Sequence, residues 1–278
     1  MSNLAARILV ALVAIPLVIA ACYFGGPYFF LFTTSIIIFS VNEFYTLAKA
    51  KNIEAAAVLG VTSAGVVNAI VYSGRMGSAF DFLLLFLPVT LLAELARKRT
   101  DGVKGVYENV GTTFAGVLYI GLFGAMLTAI RQRVGLDNIF PSDKDAGLFI
   151  ISILATIWIC DSAAYFVGRS FGRNKISKFV SPNKSWEGAI AGFLFAVATA
   201  MAAHRFALPG LDLKLMIGMG MIVGVFGQAG DFVESLFKRD SGAKDSSAII
   251  PGHGGIFDRF DSLIFSAPLI YLLLKYLR

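Results

Sequence analysis

Residues 148–168 read LFIISILATIWICDSAAYFVG. At 1.5 Å per residue, an α-helix of about 20 residues crosses a hydrocarbon core of about 30 Å. This stretch is long enough, and Asp161 is its only formal charge. It therefore reads as a membrane span that carries one carboxylate. The rest of the chain repeats the pattern. Of 278 residues, 57% are hydrophobic and only 15% charged, against about 25% charged in a soluble domain. The mean hydropathy is +0.75. A membrane β-barrel would show alternating segments of about 10 residues, and the sequence has none. The expected fold is all-α: a polytopic integral membrane protein of about nine transmembrane helices.

The nine expected spans lie at roughly 7–24, 28–47, 54–73, 79–96, 111–130, 147–168, 188–207, 213–232 and 262–277. Arg7 and the apolar run after it have the shape of a signal peptide. The run is long and a second follows almost at once, so it reads as a retained first span. Sixteen of the 24 Lys and Arg fall in alternate connections, around 7, 49–51, 97–104, 169–184 and 238–259. Basic loops stay in the cytoplasm. The N-terminus is thus expected inside, and the two longest polar stretches, 169–187 and 233–261, share the cytoplasmic side. No internal repeat or linker is visible. The chain reads as one membrane domain, with N-terminal helices in 1–145 and a catalytic half in 146–278. Cys22 and Cys160 lie in apolar runs without ligand spacing and read as small buried hydrophobes. The net charge of +6 suits basic loops and an anionic substrate rather than nucleic acid.

The polar residues of the second half are placed where they are expensive. A mid-membrane carboxylate costs about 2.5–3.5 kcal/mol on insertion scales, so Asp161 should face a protein interior or a wet cavity. Asp231 ends the run MIVGVFGQAGDF, where Gly227 and Gly230 permit a close approach or a local break. Asp231, Glu234, Ser235 and Lys238 share one helical face. The run KDSSAIIPGHGGIFDRFD (244–261) follows. Its glycines forbid a regular helix and can offer backbone N–H groups to a phosphate. Lys238, Arg239 and Lys244 add positive charge. His253 can donate to a phosphate oxygen or move a proton, although a lone His is more often structural. Asp258 and Asp261 begin the last helix, either as dipole-favoured acids or as part of a phosphate–Mg²⁺ site. The other cytoplasmic stretch, GRSFGRNKISKFVSPNKSWEG, joins basic residues to Phe and Trp, which suits anionic headgroups or, equally, a basic loop that only sets topology.

Residues 235–261, SLFKRDSGAKDSSAIIPGHGGIFDRFD, resemble the signature of the phosphatidate cytidylyltransferase family, the CDP-diacylglycerol synthases. Its fixed positions are met by Ser235, Lys238, Arg239, Lys244, Asp245, Pro251, His253, Gly254, Gly255, Asp258, Arg259 and Asp261. Upstream, DSAAYFVGRSFGRNK and SPNKSWEG are similar to two further family segments, with Asn183 in place of a usual Lys and Ser185 in place of a usual Thr. The resemblance covers roughly 160–262.

The resemblance implies a reaction: CTP and phosphatidic acid give CDP-diacylglycerol and diphosphate. It implies a bacterial-type inner-membrane enzyme, a homodimer, and Mg²⁺, with K⁺ as a second cation in the family. It places the metal at Asp231 and Asp258. Lys238, Arg239, Lys244 and Arg259 are then expected on substrate phosphates, and residues 251–255, with His253, Gly254 and Gly255, as a cradle. Asp245 and Asp261 are expected as orienters or further ligands. Ser181, Lys184, Glu187, Ser235 and Asp161 are expected at CTP or the lipid headgroup. Two other readings stand beside this one. A CTP-dependent lipid kinase would transfer the γ-phosphoryl group, and the full signature argues against it. A transporter would use a mid-membrane site, but the polar residues gather at the cytoplasmic edge.

Overall fold

The computed structural model describes residues 3–98, 102–136, 138–247 and 254–277, and the backbone alone for residues 3–11. Helices follow one another as α1 (Asn3–Phe24), α2 (Gly26–Lys49), α3 (Ala57–Tyr72), α4 (Met76–Leu95) and α5 (Val106–Gln132). Then come α6 (Asp143–Phe171), α7 (Trp186–Phe206), α8 (Leu213–Asp240) and α9 (Phe257–Tyr276). Six of these, α2, α4, α5, α6, α7 and α8, are long and apolar enough to cross a membrane. The chain is an all-α membrane protein. Strand structure among the described residues is confined to one antiparallel hairpin, β1 (Lys175–Ser177) with β2 (Ser181–Ser185). The sequence reading had no place for it, because SPNKS lacks the β-branched and aromatic residues that mark strands.

The main core draws on the inner faces of all nine helices. Phe149, Ile150 and Ile153 meet Met216, Met219, Leu263, Ala267 and Ile270 there, all buried. The outer faces stay apolar. On α4, Phe80, Leu84, Leu85, Leu91 and Leu92 are exposed, as lipid-facing positions must be. Hydroxyls within the helices return their protons to backbone carbonyls one turn back, as Thr90 does to Phe86 and Thr156 to Ser152. That meets, at these positions, the demand that polar groups be paired in hydrocarbon.

Two helices contain a π-helical stretch, Gly116–Leu122 in α5 and Val223–Gly227 in α8. Such bulges often mark functional sites. The glycines before Asp231 therefore act as one of the two sequence alternatives, a close approach rather than a break: α8 runs unbroken past Asp231 to Asp240. A Cβ on Gly230 would lie 2.7 Å from the Phe265 Cβ and 2.9 Å from the Asp261 carbonyl. Only glycine lets α8 and α9 touch there, and that contact sets Asp231 beside Asp261.

Candidate active site

A cavity of about 840 Å³ opens between α6, the hairpin, α7, α8 and the start of α9. Asp161, Ser181, Lys184, Asp231, Asp258, Arg259 and Asp261 all line it. Asp161 thus sits in a membrane helix yet is solvent-accessible, because its side chain faces the cavity. The hairpin carries Lys184 over α8, where its Nζ lies 2.6 Å from an Asp231 carboxylate oxygen and 4.4 Å from the Phe232 ring centre. Close packing of α6 on α7 supports this wall. A Cβ on Gly188 would meet the Ala164 carbonyl at 2.6 Å.

Asp231, Glu234 and Asp261 each bring a carboxylate oxygen within 4.8 Å of the others. Glu234 and Asp261 are buried. One Glu234 oxygen takes Lys238 Nζ at 2.7 Å, while its Oε1 is buried and has no hydrogen-bond partner. Three converging acids in a partly desolvated site suit a hard divalent cation, which takes carboxylate oxygens and keeps waters for substrate phosphates. The donor chemistry therefore fits Mg²⁺.

Asp258 stands beside this group rather than in it. Its Oδ1 holds Lys238 Nζ at 2.6 Å. Its Oδ2 accepts from Gly255 N at 2.8 Å and Ser246 N at 3.0 Å, and Ser246 Oγ lies 3.1 Å from it. Burial opposes the charge on Asp258. The Lys238 ammonium and the backbone amides of Gly255 and Ser246 outweigh that, and hold its carboxyl well below the usual carboxylate range. Gly254 has a left-handed φ of +81°, which turns the next amide onto Asp258. The N–H of Gly255, expected at a phosphate, is here taken up by the protein's own carboxylate.

The other expected residues are dispersed. Ser235 Oγ lies 3.5 Å from Asp231 Oδ1. Arg239 donates to the carbonyls of Val180 and Ala243, joining α8 to the hairpin. Lys244 and Asp245 are exposed and do not line the cavity. Glu187 also lies outside it, and its carboxylate accepts from the Asn174 amide N–H and Nδ2. Pro251, Gly252 and His253 fall outside the described residues. Tyr165, Arg169, Lys175 and Gln228 are among the cavity residues that were not named as candidates. Glu234 was seen only as part of a helical stripe. Glu43 was missed altogether, although a lone acid in an apolar span is a signal in itself.

Comparison with known proteins gives the family. Residues 5–277 match the model of a family described as the cytidylyltransferase family. A phosphatidate cytidylyltransferase of Staphylococcus haemolyticus is 29% identical over 279 residues, spanning 96% of this chain and 98% of the relative. One from Bacillus subtilis is 37% identical over 202 residues, 72% of this chain and 68% of the relative. One from Staphylococcus aureus strain COL is 40% identical over 136 residues, 49% and 52% of the two chains.

Proposed function

From the chain's membership of the cytidylyltransferase family, we propose that it catalyses CTP plus phosphatidate to CDP-diacylglycerol plus diphosphate. The observation that carries this reading is the cavity. It sets Lys184 and Arg259 beside a cluster of acids at the edge of membrane helices; Lys238, expected on a phosphate, lies outside the cavity lining, between Glu234 and Asp258. Two polyanions need such a place to meet, and neutralising their charge is most of the catalytic task.

An oxygen of the lipid phosphate monoester attacks the α-phosphorus of CTP. The bond from that phosphorus to the α,β-bridging oxygen breaks, and diphosphate leaves with the electron pair. The monoester has a second pKa of about 6, so it is largely dianionic at neutral pH and needs no strong base. Lys184 and Arg259 bind and orient the phosphates, while Lys238 ties Glu234 to Asp258. Asp231, Glu234 and Asp261 would hold Mg²⁺, with Asp258 next to them as a further ligand or as the anchor of Lys238. Bound there, the ion would add positive charge against the phosphates. A second cation such as K⁺ belongs to the same proposal. The acyl chains stay in the bilayer while the headgroup enters the cavity.

The finer architecture is proposed on the same footing: nine spans, a cytoplasmic N-terminus, and the cavity facing the cytoplasm of a bacterial-type inner membrane. The alternating basic loops support it. A homodimer is proposed from the family resemblance alone. The deciding experiment supplies purified protein with CTP labelled in the cytosine, phosphatidate and Mg²⁺. Label in CDP-diacylglycerol with release of diphosphate supports the reading. Free labelled CDP with a phosphorylated lipid would replace it by a lipid kinase.

A further inference from the structure

Glu43 lies on α2, in the half of the chain far in sequence from the cavity, and is 1% exposed. Among the described residues, its carboxylate accepts four hydrogen bonds, from the segment that leads into α9 and from that helix's first residue. Ser246 Oγ donates at 2.7 Å and Ser247 Oγ at 2.6 Å. The backbone amides of Ile256 and Phe257 donate at 3.0 and 2.9 Å. Those two amides lie at the start of α9, where N–H groups lack helical partners and favour a negative charge. Glu43 therefore fixes both ends of the described part of the loop and caps the helix that carries Asp258 and Asp261.

The link to the site is direct. Ser246 Oγ lies between Glu43 Oε2 and Asp258 Oδ2, at 2.7 and 3.1 Å. Asp258 in turn holds Lys238. Gly255 belongs to the same arrangement, since a Cβ there would collide with Ser246 Oγ and with Glu43 Oε2. The need for glycine at 255 is thus room for the Glu43 carboxylate as well as an amide for Asp258. Glu43 does not line the cavity.

We propose that Glu43 is a positioning residue: acting through Ser246 and the first amides of α9, it sets the orientation of Asp258 and, through it, Lys238. The catalytic consequence rests on the function proposed above; the structural consequence does not. Glu43→Gln retains the side-chain volume but faces N–H and O–H donors with an NH₂ group. Displacements of about 1 Å remote from the chemistry can cost about 10²-fold in rate. Glu43→Gln is therefore expected to lower kcat by about 10- to 100-fold, with the KM for CTP changed less than about threefold. Ser246→Ala cuts the same link from the loop side. Combined with Glu43→Gln it should cost less than the product of the two single effects.

Hydrogen–deuterium exchange gives a readout free of activity. Amides of 254–258 should exchange faster in Glu43→Gln than in the wild type, with the melting temperature recording overall folding. A folded Glu43→Gln protein with wild-type kcat and wild-type exchange overturns the proposal. Should that variant fail to fold, Ser246→Ala decides: unchanged kcat and unchanged exchange overturn the link. A wild-type protein inactive on phosphatidate sinks the function instead, and the exchange comparison still judges Glu43.

Discussion

Asp231 and Asp258 were both expected at the metal, yet their surroundings differ. Asp231 is half-buried, pairs with Lys184, and shares its space with Glu234 and Asp261. Asp258 has both oxygens engaged by Lys238, Ser246 and Gly255. The two should then fail differently on substitution. Asp231→Asn removes a donor from the three-acid group, so turnover should fall by at least about 10²-fold, the scale of one lost electrostatic contact in an active site. The Mg²⁺ concentration for half-maximal rate should rise as well. Asp258→Asn should abolish as much turnover while also releasing Lys238, leaving it with Glu234 alone. Lys238→Met should then add little further loss to Asp258→Asn, but should compound the loss in Asp231→Asn. Steady-state rates across a Mg²⁺ series measure both. Near-normal turnover in either Asn variant would remove that residue from the site. The signature made Asp258 legible as important. That its first partner is an ammonium twenty residues back became visible only in the fold.

At the scale of the element, α8 and α9 meet without side-chain bulk at Gly230. Gly230→Ala would press a methyl into the Asp261 carbonyl and Phe265. Overpacking of this kind costs about 1–3 kcal/mol, and here the strain falls on the backbone between Asp231 and Asp261. The expected result is a lower melting temperature and a larger fall in turnover per folded molecule. Gly77→Ala on α4 is the control, because its Cβ meets nothing within 4 Å and its φ is ordinary. Thermal melts in detergent, with activity normalised to folded protein, separate the two. If Gly230→Ala behaved like Gly77→Ala, the close contact would not be holding the acids together. The sequence showed the helical stripe from Asp231 to Lys238 because spacing within one helix is local information. It left open whether the glycines break or pack the helix, and it missed the hairpin that delivers Lys184. Both depend on what lies opposite, and no local pattern records that.

For the whole molecule, the sequence suggested a plain N-terminal half and a catalytic C-terminal half. The apolar periodicity made the membrane class and the helical segments legible, since burial in lipid leaves its mark on every span. The dependence of one half on the other was not legible, because single polar residues carry it across long separations. Glu43 is one such residue and Arg131 is another. Arg131, one residue beyond the expected span 111–130, is 1% exposed. It donates to the Cys22 and Tyr23 carbonyls at the end of α1, at 2.7 and 2.9 Å. It also holds both oxygens of Asp143 at the start of α6, at 2.9 and 3.0 Å. One guanidinium thus ties α1, α5 and α6, and no ammonium has the planar fork to replace it. Arg131→Met strands two carbonyls and one carboxylate. Each buried polar group left without its partner costs about 1–3 kcal/mol, so a large drop in melting temperature is expected, and Arg131→Lys should recover little of it. Asp143→Asn should cost far less, because Asp143 is 60% exposed and the two carbonyls still satisfy most of the guanidinium. Unfolding of the three variants in detergent measures the order. Equal losses at 131 and 143 would mean that the ion pair, rather than the three-helix clamp, joins the halves at this end of the molecule.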